Sequence, residues 1–290
     1  MKKLLPFLFA VLIAGCTPTE QTTSENPTVF VSIPPQAGLL KAIVGEYMEV
    51  RTLVGEGQSP HAYEPTARQL AALGEADVLF TMGVPFEQAL LKKIKPLYPD
   101  LPIIGTDAEI IKRSMPHDHH GEHCTHDHGE MDPHVWLSAE NAIMIATAMV
   151  ETLQDIDPEN RSAYAANHDE LIQTLENLHI ETAEQLTPFK GKRFYVFHPS
   201  FGYFADAYGL EQVAIEVDGK SPSPRQLGDL IENAKIDGVK VIFVQKQFPM
   251  ESARAIANEM DGQVVQLDPL AEDVVANLHQ IADAIVDSYK

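Results

Sequence analysis

The chain is short of several things, and each shortage excludes something. Only 2 of its 290 residues are Cys and 1 is Trp. Two cysteines cannot build the disulfide framework that holds small secreted domains together. Basic residues number 21 against 42 acidic ones, for a formal net charge of −21. Such a surface argues against nucleic acid or anionic lipid as partners, and it tolerates cations. Long apolar runs are missing too. The longest, Leu4 to Ala14, covers eleven residues, whereas a spanning helix needs about 20. Neither a His-Glu-x-x-His pair nor a Gly-x-Ser-x-Gly elbow occurs, which removes two common hydrolase signatures. No enzyme is expected.

What is present begins with an address. Lys2-Lys3, the apolar run and Gly15 describe a secretory signal over residues 1–15. Ile13-Ala14-Gly15-Cys16 resembles a bacterial lipobox, which implies cleavage before Cys16 and lipidation of its sulfur. Residues 16–27, rich in Thr and Glu, then read as the lipidated Cys and a flexible tether. The expected product is an exported lipoprotein, facing the periplasm or the cell exterior and touching the membrane only through its N-terminal lipid.

Histidine is concentrated. Six of the twelve, His117, His119, His120, His123, His126 and His128, crowd into residues 116–130 with Asp118, Glu122, Asp127 and Cys124. Imidazole, carboxylate and thiol are the groups that bind borderline transition metals, so this loop reads as a weak auxiliary metal collector. With Cys16 lipidated, Cys124 has no internal partner. It is either an extra soft ligand or a tolerated exposed thiol. Asp132-Pro133-His134-Val135-Trp136-Leu137-Ser138 follows directly. There His134 is flanked by Pro and a short apolar run, which suggests a fixed position.

The mature remainder of about 275 residues suffices for two lobes. Short β-rich runs alternate with helical patterns in both halves, the signature of parallel sheets built from βαβ units. The expected class is α/β, with two (β/α)-type lobes and parallel-type sheets. The first lobe spans 28–157 and the second 189–290. Residues 158–188 carry Tyr164, Leu171, Leu175, Leu178 and Leu186 at helical spacing. A helix this long is either a rigid strut joining the lobes or an ordinary core helix. Thr66 with Gln69, and Ser223-Pro224 with Gln226, form capping-box patterns at two helix starts.

Four potential ligands fall at or after strand ends: His61, His134, His198 and Asp268. In open parallel sheets, ligands bind outside the carboxyl ends of the strands, so the four converge on one crevice. Three neutral imidazoles and a carboxylate suit tetrahedral zinc. Glu64 and Asp132 could orient the imidazoles or could serve as loop caps. Trp136 is read as packing beside the site. His168, His179 and His279 lie in helical segments, in solvent or interlobe hydrogen-bonding roles.

The chain also resembles a known family. Ser59-Pro60-His61-Ala62-Tyr63-Glu64-Pro65, the stretch Asp132 to Ser138, His198 with Gly202-Tyr203-Phe204-Ala205, Ser221-Pro222-Ser223-Pro224 and Leu267-Asp268-Pro269-Leu270 are similar to the zinc and manganese solute-binding proteins of ABC transporters, cluster A-I. The motifs cover almost the whole mature chain in the family's order. Ala67 and Ala139 stand where the family more often has Pro, both at helix starts. The resemblance implies His61, His134 and His198 as metal ligands, with Asp268 or water as the fourth. It implies two lobes joined by one long helix, Zn²⁺ as the carried ion, and an ABC permease as partner of a monomer. Manganese or other divalent-metal binding, or an adhesive role for a metal-binding surface lipoprotein, are the alternatives. Manganese members usually carry a carboxylate where this chain has His198, and imidazole suits zinc better.

Two expectations follow for solution work. Free imidazole titrates near pH 6.5, so zinc affinity should fall steeply between roughly pH 7 and pH 5 with more than one proton taken up per ion. Deleting Pro116–Glu130 should leave one tight zinc per chain, since none of the four crevice ligands lies in that range. Titration of the deletion variant checks this, and loss of the tight site would refute the division between collector and crevice.

Overall fold

The computed structural model describes residues 26–115, 131–216, 220, 222–248 and 250–290. The leader, Cys16, the tether's residues up to 25, Cys124 and the six clustered histidines lie outside the described residues.

The first half alternates as β1 (Thr28–Val31), α1 (Pro34–Val44), β2 (Glu49–Thr52), α2 (Ala67–Leu73), β3 (Val78–Thr81), α3 (Phe86–Leu97) and β4 (Ile103–Gly105). The second does the same with β5 (Arg193–Val196), α6 (Gly202–Tyr208), β6 (Glu211–Ala214), α7 (Pro224–Ile236), β7 (Val241–Gln245), α8 (Met250–Glu259) and β8 (Gln263–Leu267), closed by α9 (Val274–Ser288). Between them run α4 (Ala139–Ile156) and α5 (Arg161–Leu186). Each half forms one four-stranded, all-parallel sheet, ordered β2-β1-β3-β4 and β6-β5-β7-β8. The two lobes thus share a topology without a close sequence repeat. The middles of the central strands are apolar: Val78 to Phe80 are fully buried, as are Ile242 and Val244. Burial on both faces is what helices on either side of a parallel sheet require.

Local chemistry sets the helix starts. Thr66 accepts from the backbone N–H of Gln69 while the Gln69 side chain reaches back, a closed capping box. Ser223 and Gln226 repeat it, with Pro224 in the first turn. Asp157 does not cap α5 itself. A single 3₁₀ turn, Pro158–Asn160, intervenes, and the Asp157 carboxylate instead accepts from Tyr164 Oη at 2.6 Å and Asn160 Nδ2 at 2.7 Å.

The long helix α5 is a strut. Its apolar stripe, Tyr164, Leu171, Leu175, Leu178 and Leu186, is buried throughout. Near its start Asn167 donates to the Ile43 carbonyl of α1, and near its end Gln185 donates to Asp283 of α9. One helix therefore fixes both lobes. The lobes also touch directly. Trp136 Nε1 donates to the Pro269 carbonyl at 2.6 Å, and Lys41 pairs with Glu272 at 2.7 Å. Gly38 lets α1 approach Glu272 so closely that a Cβ there would sit 1.8 Å from its carbonyl oxygen.

The strut's stability rests on this stripe rather than on its solvent face. Leu175→Ala, at a fully buried position, should cost about 2–5 kcal/mol of unfolding free energy. Ile180→Ala, 56% exposed on the same helix, should change it by less than about 0.5 kcal/mol. Urea titrations of both variants check the contrast, and equal effects would deny α5 a core role.

Candidate metal site

The loop after β2 carries His61. Tyr63 Oη and Gln69 Nε2 both donate to the Leu53 carbonyl, at 2.6 and 2.9 Å, which ties the loop to the strand end. His61 itself is exposed at the mouth of the crevice. His134 precedes a 3₁₀ turn, Val135–Leu137, whose Val135 carbonyl accepts from Asn141 of α4 at 3.0 Å. His198 lies two residues past the end of β5. Its backbone N–H donates to Gln245 Oε1 at 3.1 Å, while Gln245 Nε2 donates back to the His198 carbonyl at 2.5 Å. Phe248 stacks on its ring, with centroids 5.0 Å apart.

The structure brings these three histidines together. One ring nitrogen of each lies within 4.8 Å of the others. The Nε2 atoms of His134 and His198 face each other at 3.3 Å. Two nitrogens each about 2.05 Å from a tetrahedral zinc would stand roughly 3.3 Å apart. The pair already has the required edge, and His61 has to close by no more than about 1.5 Å to complete a triangle.

The other ring nitrogens explain why Nε2 points inward. His134 Nδ1 lies 2.8 Å from Asp132 Oδ1, and His198 Nδ1 makes a very short contact with Glu216 Oε1. Asp132 is fully buried and Glu216 nearly so. An ionised carboxylate only accepts, so each Nδ1 carries the hydrogen and each Nε2 a lone pair. Two lone pairs then confront one another in a buried space, an arrangement that a cation between them relieves.

Two of the rings, His61 and His134, are held towards the neutral form. Although His61 is exposed as a residue, its ring packs 4.9 Å from that of His198 and 5.6 Å from that of His134, centre to centre. The desolvation of that ring, reinforced by those two imidazoles, pushes it down to about 3. Burial also lowers His134, opposed by the hydrogen bond and charge of Asp132. Burial alone would raise the Asp132 carboxyl. The bonds from His134, with Arg113 nearby, outweigh it and hold the group below the usual carboxylate range.

The rings line a cavity of about 20 Å³ with Ser59, Pro60, Trp136, Ser200, Gln245, Gln247, Phe248, Pro269 and Leu270. That is room for roughly one water or one ion, and far too little for a haem or siderophore. No described lining residue is acidic.

Asp268 is placed elsewhere. Its Oδ1 accepts from the Leu270 N–H at 3.0 Å and from Gln247 at 3.3 Å, and its Oδ2 pairs with Lys246 at 3.0 Å. It lines a neighbouring cavity of about 370 Å³ with Glu56, Lys246 and Glu272, so the structure does not bring it into the three-histidine group. Glu64 is exposed, and Asp132, not Glu64, orients an imidazole. Trp136 packs 5.4 Å from the His134 ring. His168 lies 3.2 Å from Thr147, His179 packs on Tyr208, and His279 is 3.9 Å from Glu181, all remote from the crevice. Sequence reasoning missed Glu216 and Gln245. Glu216 stands just past the end of β6, so the rule that singled out His198 and Asp268 would have found it too.

Two parallel-sheet lobes on a helical strut, with histidines from both meeting in the crevice, define a solute-binding architecture for a metal ion. Residues 29–288 match the family of zinc-uptake complex component A, periplasmic (ZnuA), and the chain belongs to that family. The family is a metal-binding transport component, not an enzyme. A crystal structure of ZnuA superposes with a TM-score of 0.84 and 38% identity over 91% of this chain and 99% of the other. The zinc-binding lipoprotein AdcA of Streptococcus pneumoniae is 28% identical over 93% of this chain, which spans 56% of AdcA's length. The laminin-binding protein Lmb of Streptococcus agalactiae shares the fold, with a TM-score of 0.79 at 23% identity over 91% of this chain and all of Lmb.

The lowered imidazoles revise the acid response read from free histidine. A ring whose pKa is depressed in the metal-free protein stays unprotonated as pH falls through 6.5, so protons compete with metal only near the lower value. With His61 near 3 and His134 lowered, fewer than two protons should be taken up per ion released between about pH 7 and pH 5.5. Proton release on metal titration in weak buffer measures this. Two or more would show that the rings titrate as free imidazole.

Proposed function

We propose that the protein is an extracytoplasmic, high-affinity zinc-binding protein that captures Zn²⁺ between its lobes and delivers it to an ABC-type permease for import. The observation that carries this reading is the 3.3 Å Nε2–Nε2 pair, each ring turned inward by a buried carboxylate on its far side. Borderline zinc accepts three imidazoles, whereas manganese lies at the weak end of the divalent affinity order and prefers oxygen. The absence of an acidic group from the described cavity lining supports zinc, as does a ZnuA deletion mutant solved with zinc bound, 38% identical to this chain. The family's periplasmic description and AdcA's designation as a lipoprotein support export, with Cys16 as the lipid anchor. In this reading residues 28–157 and 189–290 are the two metal-binding lobes, 158–188 is the linking helix, and the chain works as a monomer. The histidines of residues 116–130 act as a weak collector. The fourth coordination position is open to water, because both oxygens of Asp268 are engaged.

Metal content of protein purified without an affinity tag tests the reading. One zinc per chain is expected, with manganese failing to displace it in competition titrations. Tighter manganese than zinc would overturn it.

The ligands should rank by their placement. A zinc site worth roughly 10–16 kcal/mol assigns about 3 kcal/mol to each ligand, on the order of a hundredfold in affinity. His134→Ala and His198→Ala should each lose about that much. Asp268→Ala should stay within about threefold, since its oxygens serve Lys246 and the Leu270 N–H. Competition against a chromogenic chelator puts all three variants on one scale. Asp268→Ala proving the most damaging would mean that the carboxylate enters the coordination sphere.

A further inference from the structure

Arg113 lies between β4 and residue 116, at a junction of the two lobes. Its backbone is bonded on both sides: its carbonyl accepts from the Asp132 N–H at 2.9 Å, and its N–H donates to Tyr203 Oη at 3.1 Å. Tyr203 Oη in turn donates to the Asp132 carbonyl at 2.9 Å. The guanidinium spans two carboxylates, with Nη1 3.2 Å from Asp132 Oδ2 and Nε 2.8 Å from Asp206 Oδ2. Asp206 belongs to α6, which begins four residues after His198.

The two oxygens of Asp132 have divided duties. Oδ1 accepts both the backbone N–H and Nδ1 of His134, at 3.0 and 2.8 Å. Oδ2 faces the guanidinium. The Asp132 side chain has no exposure, so a lost donor leaves a buried charge short of a partner. Removing one partner from a buried charge leaves the other uncompensated, and the group then rearranges towards any donor within reach. A turn of the carboxylate towards another donor takes Oδ1 off the imidazole. Space has been kept for this contact. A Cβ at residue 202 would sit 1.7 Å from Arg113 Nη1 and 2.9 Å from Asp132 Oδ2, so Gly202 is what lets the guanidinium lie there.

We propose that Arg113 is a positioning residue for the metal site: by occupying Oδ2 of Asp132 it holds Oδ1 on His134 Nδ1, and by gripping Asp206 it sets that imidazole against the lobe that carries His198. The proposal rests on the three-histidine reading, and its test separates the two. In zinc-free protein, ¹⁵N NMR of His134 reports which ring nitrogen carries the hydrogen, whatever the ion. The wild type should show the Nδ1–H tautomer. Arg113→Ala should shift His134 towards Nε2–H and release zinc about tenfold faster or more, as loss of an outer partner typically costs 10–100-fold. Asp206→Ala should keep the wild-type tautomer and release zinc only a few-fold faster. Gly202→Ala retains Arg113 but displaces its guanidinium. It should reproduce the Arg113→Ala tautomer shift, and it stands in if that variant does not fold. A wild-type tautomer in folded Arg113→Ala or Gly202→Ala overturns the proposal, as does a shift in Asp206→Ala equal to that in Arg113→Ala. Failure of the wild type to bind zinc would instead overturn the function proposed above and leave the tautomer result standing.

Discussion

The site depends on one interaction made twice, a buried carboxylate behind an imidazole. Free histidine can carry its hydrogen on either ring nitrogen, and a crevice lined with such rings would present a mixture of donors and acceptors. Asp132 and Glu216 remove the choice for His134 and His198. Each carboxylate claims Nδ1–H and leaves an Nε2 lone pair pointing into the cavity. The two lone pairs stand 3.3 Å apart, about the separation that two nitrogens on one tetrahedral zinc require.

Much of the remaining architecture serves to hold that distance across a lobe boundary. His134 comes from the first lobe and His198 from the second. Helix α5 packs on both, and Trp136–Pro269, Lys41–Glu272 and Arg113–Asp206 stitch the lobes near the crevice. The exposed surface pairs contribute little individually. The indole bond is buried and sits against the site, which makes it the more consequential stitch. His61 is the exception, exposed on a loop and displaced from the other two nitrogens. Two rings define the site, and the third, on the exposed loop, has only to close on them.

What the sequence revealed was what is local. Capping boxes at Thr66 and Ser223, the stripe on α5 and the alternation of strands and helices depend on residues within a few positions of each other, and all are in the structure. The three histidines were legible because strand ends in a parallel sheet face one side, so position along the chain translates into position in space. Asp268 obeys the same rule, yet its oxygens turn to Lys246 and to the N–H of Leu270. A carboxylate just past a strand has the same sequence signature whether it faces an ion or caps the following turn. Glu216 was hidden for a related reason. Its place just past β6 makes it a candidate by that same rule, but its role depends on a partner eighteen residues away, past the end of neighbouring β5, and only that pairing makes its burial tolerable.

The placement of negative charge bears on selectivity. A dication among three neutral imidazoles gains no countercharge from its immediate neighbours. Here two buried carboxylates stand one ring away, each transmitting its charge through an imidazole and raising the basicity of the coordinating nitrogen. A carboxylate in direct contact would offer the oxygen that manganese, calcium and magnesium favour. Held behind the rings, the same charge stabilises the ion while presenting only nitrogen to it. Under the zinc reading proposed above, hard cations meet a described cavity lining that offers no carboxylate oxygen. On that reading, a preference for a borderline ion follows from where the carboxylates stand rather than from how many there are.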